Sequence, residues 1–154
     1  MADIVFNVSL GLVNALHDRV NDNDPGTATI TIVAITTTAT DDTLKDLDDL
    51  AAILANGLTA EVTNTNYTRK DLGDVDIGPS TVDDSANKRA ADLPDQTWTA
   101  IVAGDNWTDL VICYNPTAGA DSTLVPLVML DFVRTPDGND IIAVFNAGGY
   151  FEAA

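Results

Sequence analysis

Histidine, cysteine and serine supply most catalytic nucleophiles and bases, and this sequence offers few of them in a usable pattern. His17 is the only histidine and Cys113 the only cysteine. A nucleophile needs an adjacent base, and a zinc site needs several nitrogen, sulfur or carboxylate ligands. The sequence therefore predicts no catalytic residues. It favours a surface or boundary position for His17 and a buried, inert thiol for Cys113.

Paired carboxylates offer a second kind of chemistry, because two acids with different pKa values can act as general acid and base. The pairs are Asp41–Asp42, Asp48–Asp49 and Asp83–Asp84. They fall in predicted helix caps, helix surfaces and a polar loop, which favours solvated acidic surface. The oxygen-rich turns at 21–24 and 137–140 lack the twelve-residue calcium pattern with its central glycine and final glutamate. We expect neither a metal nor a cofactor.

The charge balance excludes two classes of partner. The 154 residues contain 7 Lys and Arg against 24 Asp and Glu, a formal net charge of −17. Nucleic acids and anionic membranes bind clustered basic residues, so we expect neither as a partner. No apolar stretch reaches 18 residues, and the first residues lack a basic, apolar leader. We therefore expect a chain that folds in a reducing cytoplasm.

Two segments have the apolar periodicity of amphipathic helices. The first covers about residues 8–21 and ends at a turn rich in Asn and Asp. The second covers about 41–56, with Thr40 or Asp41 as its cap and Gly57 after its end. Its apolar stripe comprises Leu44, Leu47, Leu50, Ala51 and Leu54.

The other apolar segments have the β-branched composition and alternation of strands. These strand candidates are 27–38, 61–67, 96–102, 110–114, 124–133 and 141–145. Pro136-Asp137-Gly138 is a turn sequence, which predicts that 141–145 pairs back onto 124–133. Residues 71–91 are polar without an apolar period and predict a loop excursion. We expect one domain over 1–154, of α+β class, β-rich with a mainly antiparallel sheet.

The two tryptophans receive different predictions. Trp98 lies between two threonines in a predicted strand, which favours the core. Trp107 follows Gly104-Asp105-Asn106, a predicted turn where the ring could be an exposed anchor.

Seven stretches, spread over nearly the whole chain, form a more specific pattern. They are Ala2–Val8, Asn23–Pro25, Asp42–Ala51, Thr65–Lys70, Leu93–Trp98, Leu110–Pro116 and Phe145–Phe151. In these stretches the chain resembles a family of small virion structural proteins encoded by tailed bacteriophages. Members of this type are similar to head decoration, or cement, proteins, which lie outside the capsid and commonly form trimers that bridge capsomers.

The resemblance implies a non-enzymatic protein on the outer surface of the virion head, made in the host bacterial cytoplasm. Its implied partners are the major capsid protein and further copies of itself, as a homotrimer. The candidate interface residues are the aromatic groups near exposed ends, although each also fits the core: Phe6, Trp107, Tyr150 and Phe151. The alternative is a tail- or neck-associated virion protein that binds a receptor or glycan through Trp107 and the Thr- and Asn-rich loops.

Overall fold

Eleven strands and three short helices make up the computed structural model, which describes residues 3–145 and 148–153. The strands are β1 Ile4–Val5, β2 Thr29–Thr37, β3 Thr59–Glu61, β4 Lys70–Leu72, β5 Thr81–Asp83, β6 Lys88–Ala91, β7 Gln96–Trp98, β8 Trp107–Asn115, β9 Val125–Arg134, β10 Ile141–Ala143 and β11 Phe151–Ala153. The helices are α1 Val13–Asn21, α2 Asp41–Leu44 and α3 Leu50–Ala55, with 3₁₀ turns at Asn7–Ser9 and Asp121–Thr123.

A six-stranded antiparallel sheet forms the centre, in the order β1-β9-β8-β2, with β3 and β4 both paired to the outer edge of β2. Its longest uninterrupted ladder aligns β2 with β8 from Thr29 opposite Asn115 to Ile35 opposite Asp109. Two small antiparallel sheets flank it, one of β7 and β10 and one in the order β11-β6-β5. The predicted class, α+β and β-rich with antiparallel pairing in a single domain, is confirmed.

The central sheet is apolar on both faces, so its middle strands are almost continuously buried. Ile30 and Ile32 of β2 point into a first core, which α1 and the two small sheets cover. Val33 and Ile35 point to the other face, where a second core packs against α2, α3 and Phe6. Side chains on the two faces of the sheet are therefore separated by the sheet itself.

Both predicted helices are shorter than expected. The segment 8–21 begins as a 3₁₀ turn, and Gly11, with φ of +74°, separates it from α1. The segment 41–56 is broken between α2 and α3, because Asp49 is extended and its carboxylate accepts the Ala52 amide at 2.7 Å. An aspartate that caps a new helix competes with continuation of the preceding one.

One loop prediction and two strand predictions are wrong in detail. Residues 71–91 are not a plain loop, because they contain β5, β6 and most of β4. The threonine-rich segment 61–67 leaves the sheet after Glu61. Strand β10 pairs with β7 rather than with β9. The Pro-Asp-Gly segment instead bonds to Ile101, whose carbonyl accepts the Gly138 amide at 2.9 Å. A turn sequence reverses the chain locally but does not choose the strand that receives it.

Candidate functional site

The four predicted interface residues do not share one surface. Phe6 is fully buried in the second core. Trp107 and Tyr150 are buried in the first core, and Phe151 is half-buried against it. The central sheet therefore separates Phe6 from the other three. An interface role for these residues stays a prediction, and Phe151 is the member with appreciable exposed surface.

The exposed position predicted for Trp107 is wrong. Its ring begins β8 and has no exposed surface. It packs edge-to-face with Trp98 and Tyr67, at centroid distances of 5.2 and 5.4 Å. Its indole N–H donates to the Asn64 Oδ1 at 3.0 Å. The core position predicted for Trp98 is confirmed, and the two tryptophans form the aromatic centre of the first core.

The surface position predicted for His17 is also wrong, because its imidazole has no exposed surface. Nε2 lies 2.9 Å from the Gly78 carbonyl oxygen, and Nδ1 lies 3.3 Å from the Tyr150 hydroxyl. Burial lowers the pKa of His17, against opposing effects of the Gly78 carbonyl and the carboxylates of Asp18 and Asp92. Among the described residues, no serine or cysteine bonds to this ring, so the geometry is that of a packed core histidine.

A polar cluster next to His17 fastens α1 to the β5–β6 region. The Asp18 carboxylate accepts the Ser80 amide at 2.7 Å and the Ser80 hydroxyl at 2.8 Å. Arg89 pairs with the same carboxylate, and its Nε donates to the Ser80 hydroxyl at 2.7 Å. The Ser80 hydroxyl thus donates to a carboxylate and accepts from a guanidinium, so both of its hydrogen-bonding roles are used within the cluster. No local periodicity predicts this cluster, because its members lie up to 71 positions apart.

A second cluster surrounds Arg69, and sequence reasoning missed it as well. Its guanidinium donates to both oxygens of Glu61, at 2.8 and 2.5 Å, and to both of Asp121, at 2.5 and 3.1 Å. This arrangement lowers the pKa of Asp121. The Tyr67 hydroxyl donates to Glu61 at 3.1 Å and accepts the Ala34 amide at 2.9 Å. The cluster ties β2 and β3 to the turn before β9.

Two other ionisable groups lie inside the molecule. Cys113 is fully buried and burial raises the pKa of its thiol, so the predicted burial of this residue is confirmed. Asp109 is 1% exposed. Burial raises the pKa of Asp109, a hydrogen bond from Thr108 opposes this rise, and Asp131 on the neighbouring strand adds to it.

The carboxylate pairs mainly serve local structure. Asp42 pairs with Lys45, Asp49 caps α3, and Asp83 accepts three bonds from Ser85 and Ala86. Within the described residues, no three His, Cys, Asp or Glu side chains are grouped so that they could hold a metal ion.

A groove with a volume of about 300 Å³ lies between β9 and the segment after β10. Leu130, Phe132 and Val144 supply apolar surface, and Asp3 and Asp131 lie at the same groove. Its lining thus combines apolar and aromatic side chains with two carboxylates.

All seven basic side chains are engaged within the chain. Five form ion pairs with carboxylates: Arg19, Lys45, Arg69, Lys88 and Arg89. The other two lie over aromatic rings, Lys70 over Trp98 and Arg134 over Phe132. Because acidic residues outnumber basic residues by 24 to 7, the chain keeps a large negative charge even with these pairs formed.

Comparison with known proteins adds no family to this description. No protein-family model, no curated protein and no solved structure matched the chain. The resemblance to phage virion proteins therefore stays a prediction. Among the described residues, no helix is long and apolar enough to cross a membrane, and the longest, α1, has 9 residues.

Proposed function

We propose that this chain is a structural protein of a tailed-phage virion that decorates the outside of the capsid and bridges neighbouring capsomers. The observation that carries the proposal is the resemblance of seven stretches, spread from residue 2 to residue 151, to that family. The proposed partners are the major capsid protein and two further copies of this chain, as a homotrimer. The role needs no catalysis: added contact area at each seam resists the pressure of packed DNA, and many modest contacts act together.

The packing of the chain supports a structural role. Both faces of the central sheet are covered, and the side chains that could do chemistry join segments of the chain to one another. A domain held on both sides of its sheet transmits load without needing a cavity or a moving lid.

The electrostatics indicate the character of the proposed partner surface. With all basic groups engaged and a net charge of −17, copies of this chain repel one another. Basic groups on the capsid would therefore favour attachment in a dense array, because they would neutralise the negative charge of the decorating layer.

Exposed aliphatic side chains supply the apolar part of the proposed contact. Val144 is 65% exposed on the wall of the groove, and Ile142 precedes it on the same side of β10. Phe151 adds partly exposed aromatic surface on β11. We assign the capsid contact to this region and not to Trp107, whose burial also removes the aromatic contact of the tail-located, glycan-binding alternative.

Heating of purified heads with and without the protein tests the proposal. We expect decorated heads to release DNA at a higher temperature than heads from which the protein has been removed, and re-addition to restore the difference. Equal rupture temperatures would remove the capsid-stabilising role. A low-resolution image of labelled particles that places the protein on the tail would favour the alternative.

A matched pair of variants tests the assigned surface. Val144→Asp adds a charge to the groove wall and is expected to reduce occupancy on heads. Val75→Asp adds the same charge at a residue that is 89% exposed outside the groove, and is expected to bind as the unaltered chain does. Equal occupancy of both variants would place the contact elsewhere. Light scattering of the free protein, expected at three times 16.2 kDa, tests the trimer.

A further inference from the structure

The C-terminal strap, residues 148–153, is held by a small number of contacts. Its strand β11 pairs with β6 at the edge of a three-stranded sheet. The Tyr150 amide donates to the Ala91 carbonyl at 3.0 Å, and Glu152 pairs with Lys88 at 2.6 Å. The one side chain of the strap that is fully inserted is Tyr150, which is 5% exposed.

Tyr150 is anchored on α1 through His17. The two rings lie 5.8 Å apart and tilted by 46°, and the imidazole has no exposed surface. The Gly78 carbonyl can only accept, so Nε2 carries the proton and donates to it. Nδ1 is therefore the bare nitrogen, and it accepts from the Tyr150 hydroxyl. Both nitrogens of neutral His17 have hydrogen-bond partners within the protein only while the strap is in place.

A second proton on His17 would disrupt this arrangement. It would have to enter at Nδ1, where it would place a charge in the core and turn the Tyr150 hydroxyl away from its acceptor. The charged groups facing the ring are Asp18 on α1 and Asp92 after β6, with Arg89 behind Asp18. Asp18 already accepts from Ser80 and Arg89, and Asp92 from the Leu93 amide. Neither carboxylate hydrogen-bonds to the ring, so the two N–H groups of the cation would face only the uncharged oxygens of Gly78 and Tyr150.

We propose that the His17–Tyr150 contact is an acid-sensitive latch, and that protonation of His17 releases the strap from α1 and β6. Release withdraws Tyr150 from the imidazole, which exposes Nδ1 to water. It also widens the groove that Leu110 and Phe132 line, because Gly149 and Tyr150 line the same groove.

The sign of the pH dependence follows from burial. The burial that lowers the pKa of His17 is relieved when the strap is released, so its pKa then moves back toward the ordinary value of about 6.5. Closure is therefore fully favoured above about pH 6.5 and weakens as the pH falls toward the lowered pKa of the closed state. One titrating group changes the closing equilibrium by at most about tenfold per pH unit.

Residue-resolved hydrogen exchange between pH 7.5 and 5.0 tests the latch, above the range near pH 4 where carboxyl groups ordinarily titrate. After correction for the intrinsic rate, the protection of the Tyr150 amide is expected to fall by up to about tenfold per unit below about pH 6.5. Amides in the middle of β8 should keep their protection. Unchanged protection of Tyr150, or a parallel loss in β8, would overturn the proposal.

Three variants separate the latch from general weakening. His17→Gln keeps a polar side chain without titration, so the protection of Tyr150 should become independent of pH. Tyr150→Phe removes the hydroxyl donor and should lower the hydrogen-exchange protection of the strap at pH 7.5. This variant still tests the latch if His17→Gln fails to fold. Glu152→Gln removes an ion pair outside the latch and should lower protection while leaving its pH dependence unchanged. A pH dependence that persists in His17→Gln would assign it to another group.

Discussion

Side chains that the sequence offers as candidate chemistry work here as connectors between distant segments. His17, Ser80 and Arg69 each have hydrogen-bond partners that lie far away in the sequence. Taking a polar group out of water costs free energy unless its hydrogen-bond donors and acceptors are satisfied. Each of these clusters therefore specifies one arrangement of the segments that supply its members.

The Arg69 cluster is the strongest of these connections. Replacing Arg69 with Met leaves Glu61 and Asp121 without their shared cation at a half-buried position. We expect the free energy of unfolding to fall by about 1–2 kcal/mol, between the values for exposed and for buried ion pairs. Because Arg69 lowers the pKa of Asp121, this difference should shrink as the pH falls through that lowered pKa.

Urea denaturation at pH 7 and at pH 3 measures the effect of Arg69→Met. Lys45→Met is the control, because Lys45 forms a single exposed ion pair with Asp42. We expect little measurable change from it. An equal loss in both variants would show that loss of positive charge, and not the geometry at Arg69, sets the result.

At the scale of elements, the helices are too short to be stable alone and depend on their caps and on the sheet. Thr40 caps α2 through the Thr43 amide, and Asp49 caps α3 through the Ala52 amide. The Leu50 amide donates to the Leu124 carbonyl at 3.1 Å, which fixes the start of α3 next to β9.

The cap of α3 can be tested with neighbouring aspartates. Asp49→Ala removes the acceptor of the Ala52 amide and is expected to lower the free energy of unfolding by about 1 kcal/mol. Asp48→Ala removes the same charge from an exposed residue that is not the N-cap of α3, and should change the free energy of unfolding by less than about 0.5 kcal/mol. Chemical denaturation compares the two, and similar losses would point to charge instead of capping.

The turn into β11 can be tested with neighbouring glycines. Gly149 has φ of +73°, and a Cβ there would lie 2.0 Å from the Ala91 carbonyl oxygen. Gly149→Ala is therefore expected to cost about 1–3 kcal/mol and to lower the protection of the strap. Gly148→Ala meets only the end of the Glu152 side chain at 3.8 Å and should be close to neutral. Thermal unfolding compares the two variants, and equal Tm values would contradict the assigned turn.

At the scale of the whole molecule, a well-packed interior carries a strongly negative exterior. Two cores cover the two faces of one sheet, while the net charge of −17 remains on a chain of 16.2 kDa. Such a charge favours solubility before assembly but destabilises the compact state through self-repulsion.

Salt should therefore stabilise the free protein. Between about 10 and 150 mM NaCl the screening length falls from about 30 to about 8 Å, which weakens repulsion between carboxylates on different elements. We expect Tm to rise over this range. Sucrose at matched osmolality is the control, because it stabilises by exclusion of the solute from the protein surface without screening charges. A Tm that stays constant or falls with salt would show that the internal ion pairs outweigh the repulsion.

Local sequence patterns predicted the long strands well and the connections between strands poorly. The alternation in 27–38 and the apolar run at 110–114 correspond to β2 and β8, because burial on a sheet face repeats within a few residues. The pairing of β10 with β7 and the strands within 71–91 depend on partners elsewhere in the chain. Weak local patterns of three or four residues acquire strand structure only from such partners.

The sequence by itself determined the class of the fold, the buried thiol of Cys113 and the excess of negative charge, since each depends on composition or on short-range periodicity. Only the tertiary structure decided that Trp107 and His17 are buried and that Arg69 joins two acids. The physical reason is that a polar or amphipathic side chain can be stable either on the surface or in the core. Its location depends on which hydrogen-bond partners are within reach, and the fold brings those partners together from distant positions in the sequence.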